Sequence, residues 1–237
     1  MRERERRVLT THVGSLPRPR RLLELMRAKV EGALYREEDL ARAVRDAVRD
    51  SVRQQLEAGT DIVTDGEQGK LGFQVYVRER LSGFEVAPPT KSRTATREEE
   101  AFPEYFEEYY ARLYKDRVVP TGPTFHSKLR CVGPIEYTGK AAVQTDVDNL
   151  KAALEGANPV DVFMPSTGPR SLGENAYYRT QEEFEYAIAD AMRVEYQAIL
   201  EAGFSLQIDE PSVARTLAGD RELSERENRA RADGAWS

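Results

Sequence analysis

The strongest constraint on this chain is a pattern that occurs twice. Leu56-Glu57-Ala58-Gly59 leads into Thr60-Asp61-Ile62-Val63-Thr64-Asp65-Gly66-Glu67, and Leu200-Glu201-Ala202-Gly203 leads into Phe204-Ser205-Leu206-Gln207-Ile208-Asp209-Glu210-Pro211. In each copy a helix closes on glycine, an apolar run follows, and carboxylates appear where that run ends. Glycine tolerates the left-handed conformation just past a helix C-terminus. The residues after it suffice for a buried parallel strand, which reads as a near-continuous apolar run. Gly59 stands as far before Asp65 as Gly203 before Asp209. Two helix-then-strand units that end in acids imply an α/β fold with its chemistry at the C-terminal ends of parallel strands.

The remaining punctuation extends that pattern. Val8 to Val13 is β-prone and is broken by Gly14-Ser15-Leu16-Pro17, which makes a first strand and its exit loop. Residues 37–58 carry Leu40, Val44, Ala47, Val48, Val52 and Leu56 at helical spacing. Asp61 to Thr64 reads as strand two, Lys128 to Val132 as strand three, Val160 to Met164 as strand four broken at Pro165, and Phe204 to Ile208 as strand five. Thr145 with Asp148 reads as a variant capping box, and Thr180 with Glu183 as a full one for a helix to about Ala202. That last helix carries Phe184, Ile188, Ala191 and Ile199 on one side. A long Pro-bounded insertion after strand two, about 85–127, holds an aromatic-acidic stretch around Pro103 to Tyr110. A cover helix laid across the domain is the first expectation for it, and a lid the second.

After Pro211 the residues are mostly charged and small. They cannot hold three more strand-helix units at ~30 residues each. The expectation is therefore an incomplete (β/α)8 barrel of about five units over residues 1–213, then a polar, mobile tail over 214–237. An open barrel edge would invite self-association. The net charge of −6 disfavours nucleic-acid or anionic-membrane partners, which select for concentrated positive charge. No run approaches the ~20 apolar residues of a membrane span, and the Arg-rich start lacks a signal peptide's apolar stretch. A single cysteine, Cys131, excludes an internal disulfide and suits a reducing, cytoplasmic setting.

Four strand-end segments carry a resemblance. Thr10-Thr11-His12-Val13-Gly14-Ser15-Leu16-Pro17-Arg18-Pro19, Asp65-Gly66-Glu67-Gln68, Met164-Pro165-Ser166-Thr167-Gly168-Pro169 and Gln207-Ile208-Asp209-Glu210-Pro211 resemble the cobalamin-independent methionine synthase family, in its C-terminal catalytic domain. The resemblance runs from about residue 8 to 213. It implies a (β/α)8 barrel that moves a methyl group from a methylfolate-type donor to the thiol of homocysteine, with zinc holding the thiolate and no cobalamin. It also implies that the Gly14-Ser15 turn, Glu67 and Asp209 grip the amino-acid substrate. Val13 and Leu16 flank the Gly-Ser where methionine synthases proper carry Ile and Phe, and the opening resembles a broader set of thiol-alkylating relatives.

Chemistry supports the grip independently of the family. Two carboxylates at neighbouring strand ends could hold an ammonium group, and Ser15 with nearby backbone N–H groups could take a carboxylate. Helix capping or local ion pairing would use the same residues structurally. His12 could line the pocket or act as acid or base; a histidine satisfied in the wall is as good a reading. Glu210 beside Asp209 points to the opposite face if the strand persists, which disfavours a hydrolytic carboxylate pair. Gly168-Pro169-Arg170-Ser171 reads as a plain turn before an anion site. His126 reads as surface, and Cys131 as a small apolar residue in a strand.

The zinc ligands that the resemblance implies are a His-x-Cys pair, a further acidic or cysteine ligand and a late cysteine, all beyond strand five; no His-x-Cys exists in this sequence, and nothing after Pro211 is His or Cys. The alternatives to a methyltransferase are a non-catalytic fragment or amino-acid-binding module, and a barrel lyase or decarboxylase that uses the strand-end acids directly.

Overall fold

A computed structural model describes residues 7–72, 75–87, 97–115, 129–211 and 226–227. In chain order its helices are α1 (Arg20–Glu31), α2 (Glu37–Glu57), α3 (Arg97–Ala101), α4 (Pro103–Lys115), α5 (Lys140–Ala153) and α6 (Gln181–Glu201). Its strands are β1 (Ile62–Val63), β2 (Phe84–Val86), β3 (Leu129–Cys131), β4 (Asp161–Thr167), β5 (Glu174–Asn175) and β6 (Ser205–Asp209). Expectations placed on His126 and on most of 214–237 lie outside the described residues.

Three helices each feed a strand: α2 into β1, α5 into β4 and α6 into β6. The strands pair in parallel in the order β1-β4-β6. Both repeated turns form as read, with Gly59 at φ 78° and Gly203 at φ 89° closing their helices. Val48 and Val52 of α2, Val143, Val147 and Leu150 of α5 and Ile199 of α6 pack with Val63, Met164 and Phe204 in one cluster beneath the sheet. Solvent removal from such side chains is the main favourable term in folding.

The expected first strand is reduced to a single parallel bridge, Thr11 to Ile62. The Thr10 carbonyl accepts the amides of Asp61 and Ile62, and the Asp61 carboxylate takes the Arg7 guanidinium and the Thr10 amide. Val8 and Val13 remain exposed, so the segment lacks the burial that would hold a longer ladder.

Three expectations change. Leu129–Cys131 does not enter the main sheet; it sits between β2, antiparallel, and β5, parallel, in a second sheet. The pull comes from packing, because Cys131 is buried with Phe184, Ile188 and Met192 of α6. Gly83 admits the approach: a Cβ there would lie 2.5 Å from the Pro134 carbonyl oxygen. Strand four does not break at Pro165 but runs to Thr167, with Pro165 opposite Gln207. β1 pairs only as far as Val162, so the missing proline N–H falls where β4 has a free side. Thr145 does not cap a helix; it lies inside α5 and donates to the Ala141 carbonyl at 2.9 Å.

The helix expected near Pro103 forms as α4, but Phe102, Tyr105 and Tyr109 are exposed. Tyr105 stacks with Tyr109 at 6.1 Å and meets Phe106 edge-on at 5.2 Å, so these rings pack on one another.

Thr180 caps α6, with the return bond of the capping box displaced by one residue. Its hydroxyl accepts the Glu183 amide at 3.0 Å, while the Glu183 carboxylate accepts the Arg179 amide at 3.1 Å. Thr180→Ala is expected to lower stability by about 1 kcal/mol. A urea midpoint shift with unchanged m-value would show it; no shift would remove the cap's role. Among the described residues no helix is long and apolar enough to cross a membrane.

Candidate functional site

The exits of the opening segment and of β1 are zipped together at the C-terminal end of the parallel sheet. Leu16 donates its amide to the Gly66 carbonyl at 3.0 Å, and Gln68 Nε2 reaches the carbonyls of Leu16 and Gly66. Gly66, at φ 65°, lets the chain reverse; a Cβ there would meet Ser51 Oγ at 2.4 Å. The reversal brings Ser15 to Glu67, and Ser15 Oγ donates to Glu67 Oε2 at 2.6 Å.

Glu67 itself stands at φ 55°, the one described non-glycine residue with positive φ. Such a conformation costs about 1–3 kcal/mol and persists where neighbours over-determine it. Here Asp65 Oδ1 accepts the Glu67 amide at 2.9 Å, and Thr64 Oγ1 donates to the same carboxylate oxygen at 3.2 Å. Arg18 Nη2 donates to the Glu67 and Lys70 carbonyls at 2.8 and 2.6 Å. Burial lowers the pKa of Arg18, against the pull of Glu67 and Asp65. Lys70, buried, donates to the Pro165 carbonyl and ties the loop to β4.

Asp209 closes β6, opposite Thr167 of β4. It therefore lies at the same end of the sheet as Ser15 and Glu67, with β4 between. Ser15 and Glu67 are joined directly; Asp209 is hydrogen-bonded to neither, and its Oδ1 accepts from Gln207 Nε2 at 2.8 Å. Gly14, at φ 88°, has open space where a side chain would stand. His12 is half-buried, and its Nε2 is buried with no partner. Gln68 Oε1, Arg18 Nε and Thr167 Oγ1 share that condition. Thus every buried side-chain polar atom that lacks a partner among the described residues falls at this end of the sheet. A buried orphan of this kind costs free energy and calls for a ligand, a water or a functional role.

Glu210 has a local task. Its Oε2 accepts the Arg170 amide at 2.8 Å, and its side chain fills the space beside Gly168. The Gly168 turn thus already holds a carboxylate from its own chain. Cys131 is buried, donates to the Gly133 carbonyl at 3.3 Å, and has its thiol pKa raised by burial.

Beneath the site lies a charged cluster that the sequence reading missed. Glu195 of α6, 0% exposed, accepts from Tyr76 at 2.7 Å, Ser166 at 2.8 Å, Tyr137 at 2.6 Å and Arg80 at 2.9 Å. Arg80 also bonds Asp146, and both Arg80 and Lys70 lie over the Tyr76 ring. Burial opposes charge on Glu195, but Arg80 and Lys70 with the two tyrosine hydroxyls outweigh it, and its pKa falls below the ordinary glutamate range. Through Ser166, and through Tyr76 accepting the Thr167 amide at 3.2 Å, this cluster fixes the C-terminal end of β4.

No family model matches the chain. It is 28% identical over 208 residues to a methionine synthase of Sulfolobus acidocaldarius, a match covering 86% of this chain and 52% of that protein. A methionine synthase of Thermococcus kodakarensis is 27% identical over 208 residues, and one of Saccharolobus solfataricus 29% over 211 residues. The chain spans about half the length of these curated relatives. Among solved structures, it is similar to a B12-independent methionine synthase from Shewanella sp. W3-18-1 in complex with selenomethionine. That likeness has a TM-score of 0.60 and 23% identity, over 86% of this chain and 52% of that one. A putative vitamin-B12 independent methionine synthase from Listeria monocytogenes gives a TM-score of 0.59 and 20% identity, over 92% of this chain and 57% of that one.

Proposed function

We propose, from the premise that this chain belongs to the cobalamin-independent methionine synthase family, that its sheet end holds the amino-acid substrate of a homocysteine-to-methionine methyl transfer. The observation that carries this is Glu67, held in a left-handed conformation with its carboxylate on Ser15 at the end of β1. Glu67 and Asp209 would take the ammonium group, while the Gly14-Ser15 turn would take the carboxylate, leaving the side-chain sulfur to face the methyl donor. A folate-type donor is part of the same proposal.

Among the described residues no group of three or more His, Cys, Asp or Glu side chains comes together to hold a metal ion. His12 follows the Thr11–Ile62 bridge beside the β1-β4-β6 sheet, whereas Cys131 lies in β3 of the second sheet. The amino-acid grip needs no metal. Engagement of Glu210 by the Arg170 amide weighs against a hydrolytic pair formed by the adjacent acids Asp209 and Glu210.

Calorimetry with L-methionine and L-homocysteine tests the proposal. Binding by the wild-type chain is expected, weakened by about 1–3 kcal/mol in each of Glu67→Gln and Asp209→Asn, the range for hydrogen bonds to charged groups. Equal affinity in wild type and both variants would contradict the assigned roles.

A further inference from the structure

Arg18 belongs to no assigned role, yet it makes the contacts on which the geometry of Glu67 depends. One guanidinium nitrogen reaches both ends of the turn: the Glu67 carbonyl at 2.8 Å and the Lys70 carbonyl at 2.6 Å. The same turn is closed internally by Lys70 donating its amide to the Glu67 carbonyl at 3.1 Å. A left-handed glutamate returns to ordinary backbone angles once its neighbours release it. Asp65 fixes the amide of Glu67 and Ser15 its carboxylate. The carbonyl side, by contrast, is held by Arg18 and by the turn alone. Arginine also brings a buried positive charge close to Glu67 and Asp65, each of which acts on it electrostatically. Its Nε is buried without a partner, so the side chain keeps this place at the expense of one of its own hydrogen bonds.

We propose that Arg18 is a positioning residue that aims the Glu67 carboxylate at the ammonium group of the amino-acid ligand. The inference rests on the amino-acid reading of this site. A role confined to stability would make Arg18 interchangeable with any other stabilising contact. A positioning role ties ligand affinity to the guanidinium itself.

The experiment compares the full chain with Arg18→Ala, Arg18→Lys and Thr180→Ala, the last losing a helix cap remote from the turn. Titration with L-methionine is expected to show affinity reduced about tenfold or more in Arg18→Ala, the worth of one or two hydrogen bonds. Thr180→Ala should bind as wild type does. Guanidinium chloride at a few millimolar, far below denaturing levels, should restore binding to Arg18→Ala, and the same concentration of ammonium chloride should not. Arg18→Lys keeps the charge without the planar fork and should fall between; it also serves if Arg18→Ala does not fold. Affinity of the Arg18 variants within twofold of wild type, or loss matched by Thr180→Ala, would overturn the proposal.

A second readout needs no ligand. Amide hydrogen exchange at Glu67 to Lys70 should accelerate in the Arg18 variants and slow again with guanidinium. If wild type fails to bind methionine, the reading of the site falls. If exchange at the turn is unchanged, the role of Arg18 falls.

Discussion

Glu195→Ala is expected to lose about 3–5 kcal/mol of folding stability, the cost of removing one partner from a buried ion pair. The loss is large because the residue serves four donors at once. Without it Arg80 keeps Asp146 but has half of its charge pairing removed, and the hydroxyls of Tyr76, Tyr137 and Ser166 lose the carboxylate to which they donate. An unmade buried hydrogen bond costs more than a made one contributes. The m-value in urea should be unchanged while the midpoint falls. A loss below about 1 kcal/mol would mean that water or rearranged side chains satisfy the cluster, and that β4 is held by something else.

Alkali should unfold the protein steeply. The hydroxyls of Tyr76, Tyr137 and Tyr196 all have raised pKa values, first because of burial and then because of the nearby charge on Glu195. The folded state therefore keeps these three protons, whereas the unfolded chain releases them above about pH 10. Stability from this source is fully present below that pH and is lost as pH rises from there toward the folded-state values. Three retained protons give a slope of at most about 4 kcal/mol per pH unit. Tyr137 and Tyr196 are only half-buried, so solvent screening lowers that bound. Tyrosinate absorbance followed against pH should show part of the 11 tyrosines ionising only as the circular dichroism signal collapses. All tyrosines titrating near pH 10 in a folded protein would refute the arrangement.

Much of the helix-to-strand framework was legible because its signals are local. A glycine that must turn left after a helix, followed by an apolar run, depends on neighbours within a few residues, and both copies at Gly59 and Gly203 form as read. The placement of Leu129–Cys131 was not legible, because an alternating buried-exposed triplet such as Leu-Arg-Cys suits either sheet. The outcome depends on α6, remote in sequence, and on β2 and β5, too short to announce themselves. Thr145 with Asp148 matched a capping pattern but lies inside α5, which starts at Lys140 just after Gly139, where a Cβ would strike the Arg80 side chain. Position along a helix is a tertiary matter that four letters do not encode.

For the site, Ser15, Glu67 and Asp209 could be singled out because motif and strand ends coincide. Arg18 stands in the same opening motif as Ser15, but its contacts are to backbone carbonyls, which no residue pattern reveals. Glu195 does carry a signal in the sequence. It falls in the stripe of α6 that carries Ile188, Met192 and Ile199, and an acid on an apolar face needs a buried partner.

The most direct test of the central claim is a crystal structure of the chain grown with selenomethionine as a soaked ligand, its selenium located by anomalous scattering. One selenium peak is expected at the C-terminal end of β1, β4 and β6, with the ligand's ammonium nitrogen within hydrogen-bond distance of Glu67 and Asp209 and its carboxylate at Gly14-Ser15. A selenium peak elsewhere on the molecule, or none at ligand concentrations that saturate binding in solution, would contradict it.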